Sequence, residues 1–230
     1  MHDALAAWTL LASGDPALWQ IVWLSIGVSG AAVGLAALFG LPIGAALALT
    51  RFPGRDLVVV LVNAAMGLPP VVVGLVVFLL LSRSGPLGRF GLLFTPQAMV
   101  IAQTILVTPI IAALARQTVE DLWRAYRDEL TALQVGPVRR VATLLWDARF
   151  SLATVLLARF GRAAAEVGAV MIAGGNIAGY TRVMTTAIAL ETSKGDLPLA
   201  VGLGAVLIAL VGLANGTAWG VLRWAEARYG

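Results

Sequence analysis

The sequence predicts an all-α integral membrane protein, a polytopic bundle of five transmembrane helices in a single domain over residues 1–230. Three observations carry that reading. The mean hydropathy is +0.90 and only 12% of residues are charged, against about 25% in soluble domains. Four stretches, Ala17 to Thr50, Leu57 to Ser82, Gly91 to Ala115 and Leu197 to Leu222, contain no charged residue. Each exceeds the roughly 20 residues that a helix needs to cross a hydrocarbon core of about 30 Å. Finally, 11 of the 28 charged residues are packed into residues 116–149, so the polar chemistry is concentrated between spans.

The elements follow in order. Residues 4–16 read as a short interfacial helix or loop, with Asp15-Pro16 marking entry to span one, residues 18–49. His2 and Asp3 stand where a cleaved signal peptide would carry basic residues. Span two covers 57–82 and is interrupted by Pro69-Pro70. The backbone groups freed there must be satisfied by a neighbour or by water in a cavity, so the site is either a packing kink or a pore-lining break. Spans three, four and five are expected at 92–115, 150–172 and 197–222. The fourth is the least pure, because Arg159, Arg162 and Glu166 interrupt it.

Basic residues orient the bundle. If 51–56, 116–149 and 223–230 share a side, that side holds ten arginines, while Arg83, Arg89, Arg182 and Lys194 lie on the other. The positive-inside rule then makes the first side cytoplasmic, with the N-terminus outside and the C-terminus inside. Trp19 and Trp23 suit an outer interfacial belt, Trp219 and Trp224 an inner one. No internal repeat is evident, so the chain is expected to supply half of a pathway and to dimerise with itself.

The charged insert has its own pattern. Leu122, Tyr126, Leu130 and Leu133 fall on one stripe of a helix. Gly136 suits a left-handed helix stop and Pro137 the first position of a following helix. The expectation is a short amphipathic cytoplasmic helix, a tight stop, and a second basic helix leading into span four. Such an insert either lies solvated on the membrane surface or docks a soluble partner.

The chain resembles the import permeases of ATP-binding-cassette (ABC) transporters. Their cytoplasmic EAA loop has Glu-Ala-Ala, three variable residues and Gly. Here that register is Leu130-Thr131-Ala132-Leu133-Gln134-Val135-Gly136, in which Ala132 and Gly136 match and Glu129 stands one position early. The Leu-Pro that usually follows is replaced by "WDARFSL". "RFPGR" at 51–55, "GLPPVVVGL" at 67–75 and "EVGAVMIAGGNIAGYTRVMTTAIALETSKGD" at 166–196 resemble tungstate-type permeases in order and over nearly the whole length. Molybdate permeases are similar, but usually have a Glu-Phe-Gly start and a sixth span.

The resemblance implies a type I ABC importer permease fold with a cytoplasmic coupling helix. It also implies a homodimer in the cell (inner) membrane, two cytoplasmic ATPase subunits, and an extracytoplasmic substrate-binding protein. Tungstate is the expected substrate, with molybdate the alternative. Asp128, Glu129, Ala132, Leu133, Gly136, Pro137 and Val138 would form the ATPase-coupling helix, over 128–138. No cofactor is expected on this chain; ATP and magnesium would sit on the ATPase.

Two constellations are candidates for the translocation path or its gate. Arg159, Arg162 and Glu166 share one helical face at spacings of three and four, and charges at mid-membrane cost at least about 2.5 kcal/mol each. Either the arginines snorkel to the interface with Arg162 paired to Glu166, or the face turns toward a path that attracts an oxyanion. Asn176, Thr181, Arg182, Thr185 and Thr186 follow a glycine-rich turn and offer hydroxyl and amide donors, which suit a dianion that must be released quickly. The alternative is an ordinary external loop with a half-helix.

Other classes find little footing. There is no cysteine and hence no thiol chemistry or Cys-based metal site. No metal site is expected, nor any catalytic residue, since His2 is the only histidine and lies in a terminus. Gly174-Gly175-Asn176 lacks the lysine of a phosphate loop. The basic residues are dispersed between helices, which argues against nucleic acid. An ion-coupled secondary transporter would need intramembrane acids, and Glu166 is the one candidate.

Overall fold

The computed structural model describes residues 15–229, so His2 and most of the expected 4–16 segment lie outside the described residues. Within them the chain is helix, turn and loop without a strand. In order, the helices are α1 (Pro16–Leu49), α2 (Arg55–Ala65), α3 (Pro70–Leu81), α4 (Pro96–Ala132), α5 (Pro137–Asp147), α6 (Arg149–Ala164), α7 (Gly168–Gly174), α8 (Met184–Lys194) and α9 (Leu197–Tyr229). Three of them, α1, α4 and α9, are long and apolar enough to cross a membrane. Two bent pairs, α2 with α3 at 102° and α5 with α6 at 68°, bring the possible spans to five.

The central packing is α1 against α4, and its chemistry is small residues. Ser29, Ala32, Ala36, Gly40 and Gly44 recur about every four positions along the buried face of α1. A Cβ at Gly44 would collide with the Ala112 carbonyl and lie 2.8 Å from the Ala115 Cβ. Without a hydrophobic force between helices in lipid, such close backbone approach is how dispersion contacts are gained. Val33 and Ala36 pack with Val107, Ile111 and Ala163 on the same side, which attaches α6. Farther along, Leu18, Val22, Met184, Ala187 and Leu203 join α1 to α8 and α9. The outward faces carry exposed Leu38, Ile208, Leu213 and Trp219, suited to lipid or a partner.

Three expected elements differ. Span three does not end at Ala115: α4 starts at Pro96, with Thr95 as its cap, and runs 37 residues to Ala132. The charges beyond Ala115 leave the apolar layer without breaking the helix, because no Gly or Pro intervenes and Arg, Gln, Glu, Leu and Ala are good helix formers. Arg116 and Glu120 add an ion pair at i, i+4, 2.8 Å apart. There is consequently no separate helix over 128–138.

The helix stop is the second difference. Gly136 has φ −65° and ψ 159° and serves as the N-cap of α5, while Gln134 takes the left-handed conformation at φ 51°. The N–H of Val135 donates to the Leu130 carbonyl at 3.1 Å and that of Gln134 to Thr131 at 3.0 Å. This pair of bonds is the Schellman closure, reached two residues earlier than the glycine suggests. Pro137 does occupy the first turn of α5.

Span four is the third. Residues 150–172 are not one helix: α6 ends at Ala164, and α7 resumes at Gly168. The break lets α7 lie against α3 at backbone distance, where a Cβ on Gly74 would come 2.9 Å from the Ala169 Cα. Val73, Val77, Ala98, Ala102, Ala169 and Ala173 form the core of this α3–α4–α7 layer.

Candidate functional site: a cavity at two helix breaks

The breaks after α2 and after α6 face each other across α4 and enclose a cavity of about 380 Å³. Met66 to Pro70 form one wall, Gln103, Val107 and Ile110 of α4 the back, and Arg159, Arg162 and Glu166 the other wall. Pro69 is the N-cap of α3 and Pro70 its first residue, so neither offers a backbone N–H that would need a partner. The 102° bend therefore lines this cavity without leaving proline N–H groups to be satisfied.

The polar groups here are incompletely satisfied. Gln103 is 3% exposed; its Nε2 donates to the Ala163 carbonyl at 2.9 Å, but its Oε1 is buried with no partner. Arg159 Nε is likewise buried without a partner. Among the described residues, neither Arg159 nor Arg162 makes an ion pair within 4 Å. The Arg162–Glu166 pair does not form, because Glu166 lies beyond the end of α6. Its Oε1 instead accepts from the N–H groups of Gly168 at 2.8 Å and Ala169 at 3.4 Å, capping α7. Buried polar atoms without partners are costly, and here they border an open space lined by two guanidinium groups.

The second candidate constellation has a different character. Thr181, fully buried, donates to the Gly174 carbonyl at 2.6 Å and accepts from the Ile177 N–H at 2.9 Å. Thr185 donates to the Glu166 carbonyl at 2.8 Å. Thr186 donates to the Val183 carbonyl and accepts from its N–H, both at 3.1 Å, capping α8. Asn176, at φ 51°, donates through Nδ2 to the Thr186 carbonyl at 3.3 Å, and its Oδ1 is buried without a partner. Arg182 stands 3.8 Å from the buried Glu191, which also pairs with Lys194 at 3.0 Å. Gln20 of α1 reaches over to the Gly179 carbonyl at 2.8 Å. These residues hold the turn together; the hydroxyls of Thr181 and Thr186 are committed within it, and that of Thr185 ties it to the break after α6.

At the arginine-rich end, all seven residues expected to couple to an ATPase lie on one exposed elbow. Asp128, Glu129 and Ala132 form the last turn of α4, Leu133 caps it, and Gly136, Pro137 and Val138 open α5. Leu133 and Val138 are 74% and 82% exposed, an uncommon state for aliphatic side chains at a polar surface. The expected stripe is divided: Leu122 and Leu130 pack against Val119 and Leu144, whereas Tyr126 and Leu133 point outward. The elbow is pinned by Arg140, whose Nε donates to the Val135 carbonyl at 2.6 Å while its guanidinium lies 5.4 Å from the Trp123 ring centre. Sequence reasoning passed over both Arg140 and Gln103. An amide in the middle of a charge-free span, farther from its end than Gln97, was the available signal for Gln103.

The fold is similar to a chain of the methionine ABC transporter MetNI solved in inward-facing conformations, with TM-score 0.61 and 18% identity over 91% of this chain and 98% of that one. The two chains thus share a fold. In sequence, the chain is 44% identical over 199 residues to a probable anion ABC transporter permease of Haloferax volcanii, covering 84% of this chain and 86% of that protein. It is 40% identical over 203 residues to a tungstate uptake system permease protein of Peptoclostridium acidaminophilum, covering 88% and 89%. A tungstate uptake permease of Campylobacter jejuni is 38% identical over 72% of this chain and 69% of its own length. No protein-family model matches. The chain belongs to the anion permeases of ABC transporters, the family that includes the tungstate uptake permeases.

Proposed function

We propose that this chain is the membrane subunit of an ATP-driven importer for an oxyanion, tungstate first and molybdate as the alternative, and that the anion passes through the Arg159–Arg162 cavity. The observation that carries the path is the pair of guanidinium groups without acid partners on a cavity at two helix breaks. Two fixed positive charges in a low-dielectric cleft concentrate an anion there. Gln103, whose Nε2 holds the Ala163 carbonyl, can offer the anion only its second N–H, and Glu166, occupied as the cap of α7, is a poor carrier for a coupling proton.

The assembly follows from the family. Two copies of the chain would enclose the path, with the arginine-rich end cytoplasmic, the N-terminus outside and the C-terminus inside. Two ATPase subunits would seat on the elbow at 128–138, and a substrate-binding protein would deliver the anion from outside. ATP and magnesium would be held by the ATPase, since the chain has no phosphate loop.

The test is reconstitution. Proteoliposomes holding the chain and its ATPase should take up tungstate only with ATP and the binding protein, and tungstate and molybdate should compete. Tungstate accumulation driven by an ion gradient without an ATPase would replace this reading with a secondary carrier.

A further inference from the structure

A second polar cavity, of about 430 Å³, lies at the arginine-rich end and takes no part in the proposed path. The end of α1, the start of α2 and the C-terminal part of α4 line it, with Arg51, Arg55, Arg124 and Arg127 around a single carboxylate, Glu120. That carboxylate is committed: its Oε1 accepts from Arg55 at 2.7 Å and its Oε2 from Arg116 at 2.8 Å. Arg124 has Asp121 at 3.2 Å, in an exposed pair of the kind that contributes little. Arg51 and Arg127 make no ion pair, hydrogen bond or ring contact among the described residues. The rim therefore carries positive charge that the protein does not neutralise.

A separate apolar groove of about 490 Å³ begins one turn farther along α2. It runs between α1, α2 and α4, past Phe39, Ile43, Leu61, Ala65 and Ile105. None of the residues of α2 is buried, so this copy of the chain leaves the helix open to an occupant. The level of the polar cavity is marked by aromatic residues. Trp123 lines it, and at the same end Arg149, Arg223 and Arg228 sit over the rings of Trp146, Trp219 and Trp224. Tryptophans paired with cations are the signature of headgroup depth.

We propose that these two features are one binding site for an anionic phospholipid. Arg51 and Arg127 receive the phosphate, Arg124 stands at the rim, and an acyl chain lies in the α1–α2–α4 groove. Charge complementarity selects the occupant. Forked guanidinium groups match phosphate oxygens, and a zwitterionic lipid would bring its own ammonium into an already cationic cavity. Such a lipid would clamp α2 to α1 and α4. Since α2 leads directly into the Met66–Pro70 wall, occupancy would also stiffen the proposed anion path, a consequence that rests on the function proposed above.

The test is native mass spectrometry of the full chain, purified in mild detergent and offered phosphatidylglycerol and phosphatidylcholine separately. The wild type should retain phosphatidylglycerol in preference. Arg51→Ala with Arg127→Ala should lower its affinity about twenty-five-fold, at roughly fivefold per arginine, with phosphatidylcholine binding unchanged. Arg83→Ala with Arg89→Ala, at the other end, should keep the wild-type preference. If the alanine pair does not fold, Arg51→Gln and Arg127→Gln alone should each lose about fivefold. Unchanged binding in these variants, or equal retention of the two lipids, overturns the proposal. So does inorganic phosphate binding as tightly as the lipid, or loss of the lipid when the ATPase binds, which would show that the surface belongs to that partner or to a free anion.

Discussion

The cavity at the helix breaks and the threonine-rich turn at 174–186 contain similar numbers of polar side chains, yet they differ in what those side chains are free to do. In the turn, Thr181, Thr185 and Thr186 each donate to a named carbonyl and Arg182 faces Glu191, although Asn176 Oδ1 and Arg182 Nε are buried without a partner. In the cavity, Gln103 Oε1 and Arg159 Nε have no partner, and Arg162 has no acid. Within a membrane, where water cannot repair an unsatisfied group, the first arrangement is what holds a fold together. The second is what receives a polar ligand. Neither polarity nor the number of orphaned atoms separates the two; the guanidinium groups do, with an acid before Arg182 in the turn and none before Arg159 and Arg162 in the cavity.

Substitutions in the turn should therefore lower stability and leave transport per folded complex unchanged, with the reverse in the cavity. The largest stability loss is expected for Glu191→Ala, about 2 to 3 kcal/mol by thermal unfolding in detergent. It falls below the full cost of breaking a buried pair because Lys194 is half exposed and Arg182 is 3.8 Å away. Thr181→Val comes next, at about 1 to 3 kcal/mol, since it leaves the Gly174 carbonyl and the Ile177 N–H without partners. A transport defect in Thr181→Val larger than its loss of folded protein would break the distinction.

Gln103→Leu, in the cavity, should change stability by less than about 1 kcal/mol. It removes one bond to Ala163 but also one orphaned oxygen. Uptake in the same variant should fall clearly, which sharpens the contrast with Thr181→Val. The smallest effect is at the elbow: Gln134→Gly should raise stability by up to about 1 kcal/mol, because glycine takes φ 51° without strain. Gly136→Val should be nearly neutral for the fold, since a Cβ there meets nothing within 4 Å.

Much of the architecture is legible in the sequence because bilayer thickness makes length and charge informative. Charge-free runs located α1, α4 and α9, and Pro69-Pro70 located the break. What escaped is partly local and partly a matter of contacts distant in sequence. The continuity of α4 past Ala115 was hidden by its charged residues, which mark the membrane boundary and not a helix end. The Schellman stop at Gln134 was masked by the more conspicuous glycine two positions on. The Arg162–Glu166 pair was expected from helical spacing, and failed because α6 breaks so that α7 can pack on α3. Nothing in the local sequence records that packing. The arginines were visible as costly residues, but that they face Pro69 and Gln103 is a property of the fold.

The most direct test of the cavity as the anion path is ATP-driven tungstate uptake by proteoliposomes carrying Arg159→Gln with Arg162→Gln, compared with Thr181→Val at equal amounts of folded complex. Removing two charges that satisfy no acid should leave the bundle intact and the ATPase bound. The account predicts that the arginine variant loses uptake ten- to a hundredfold, while the threonine variant stays within about twofold of wild type. Wild-type uptake in the arginine variant, with the loss appearing instead in Thr181→Val, would contradict it and move the path to the turn.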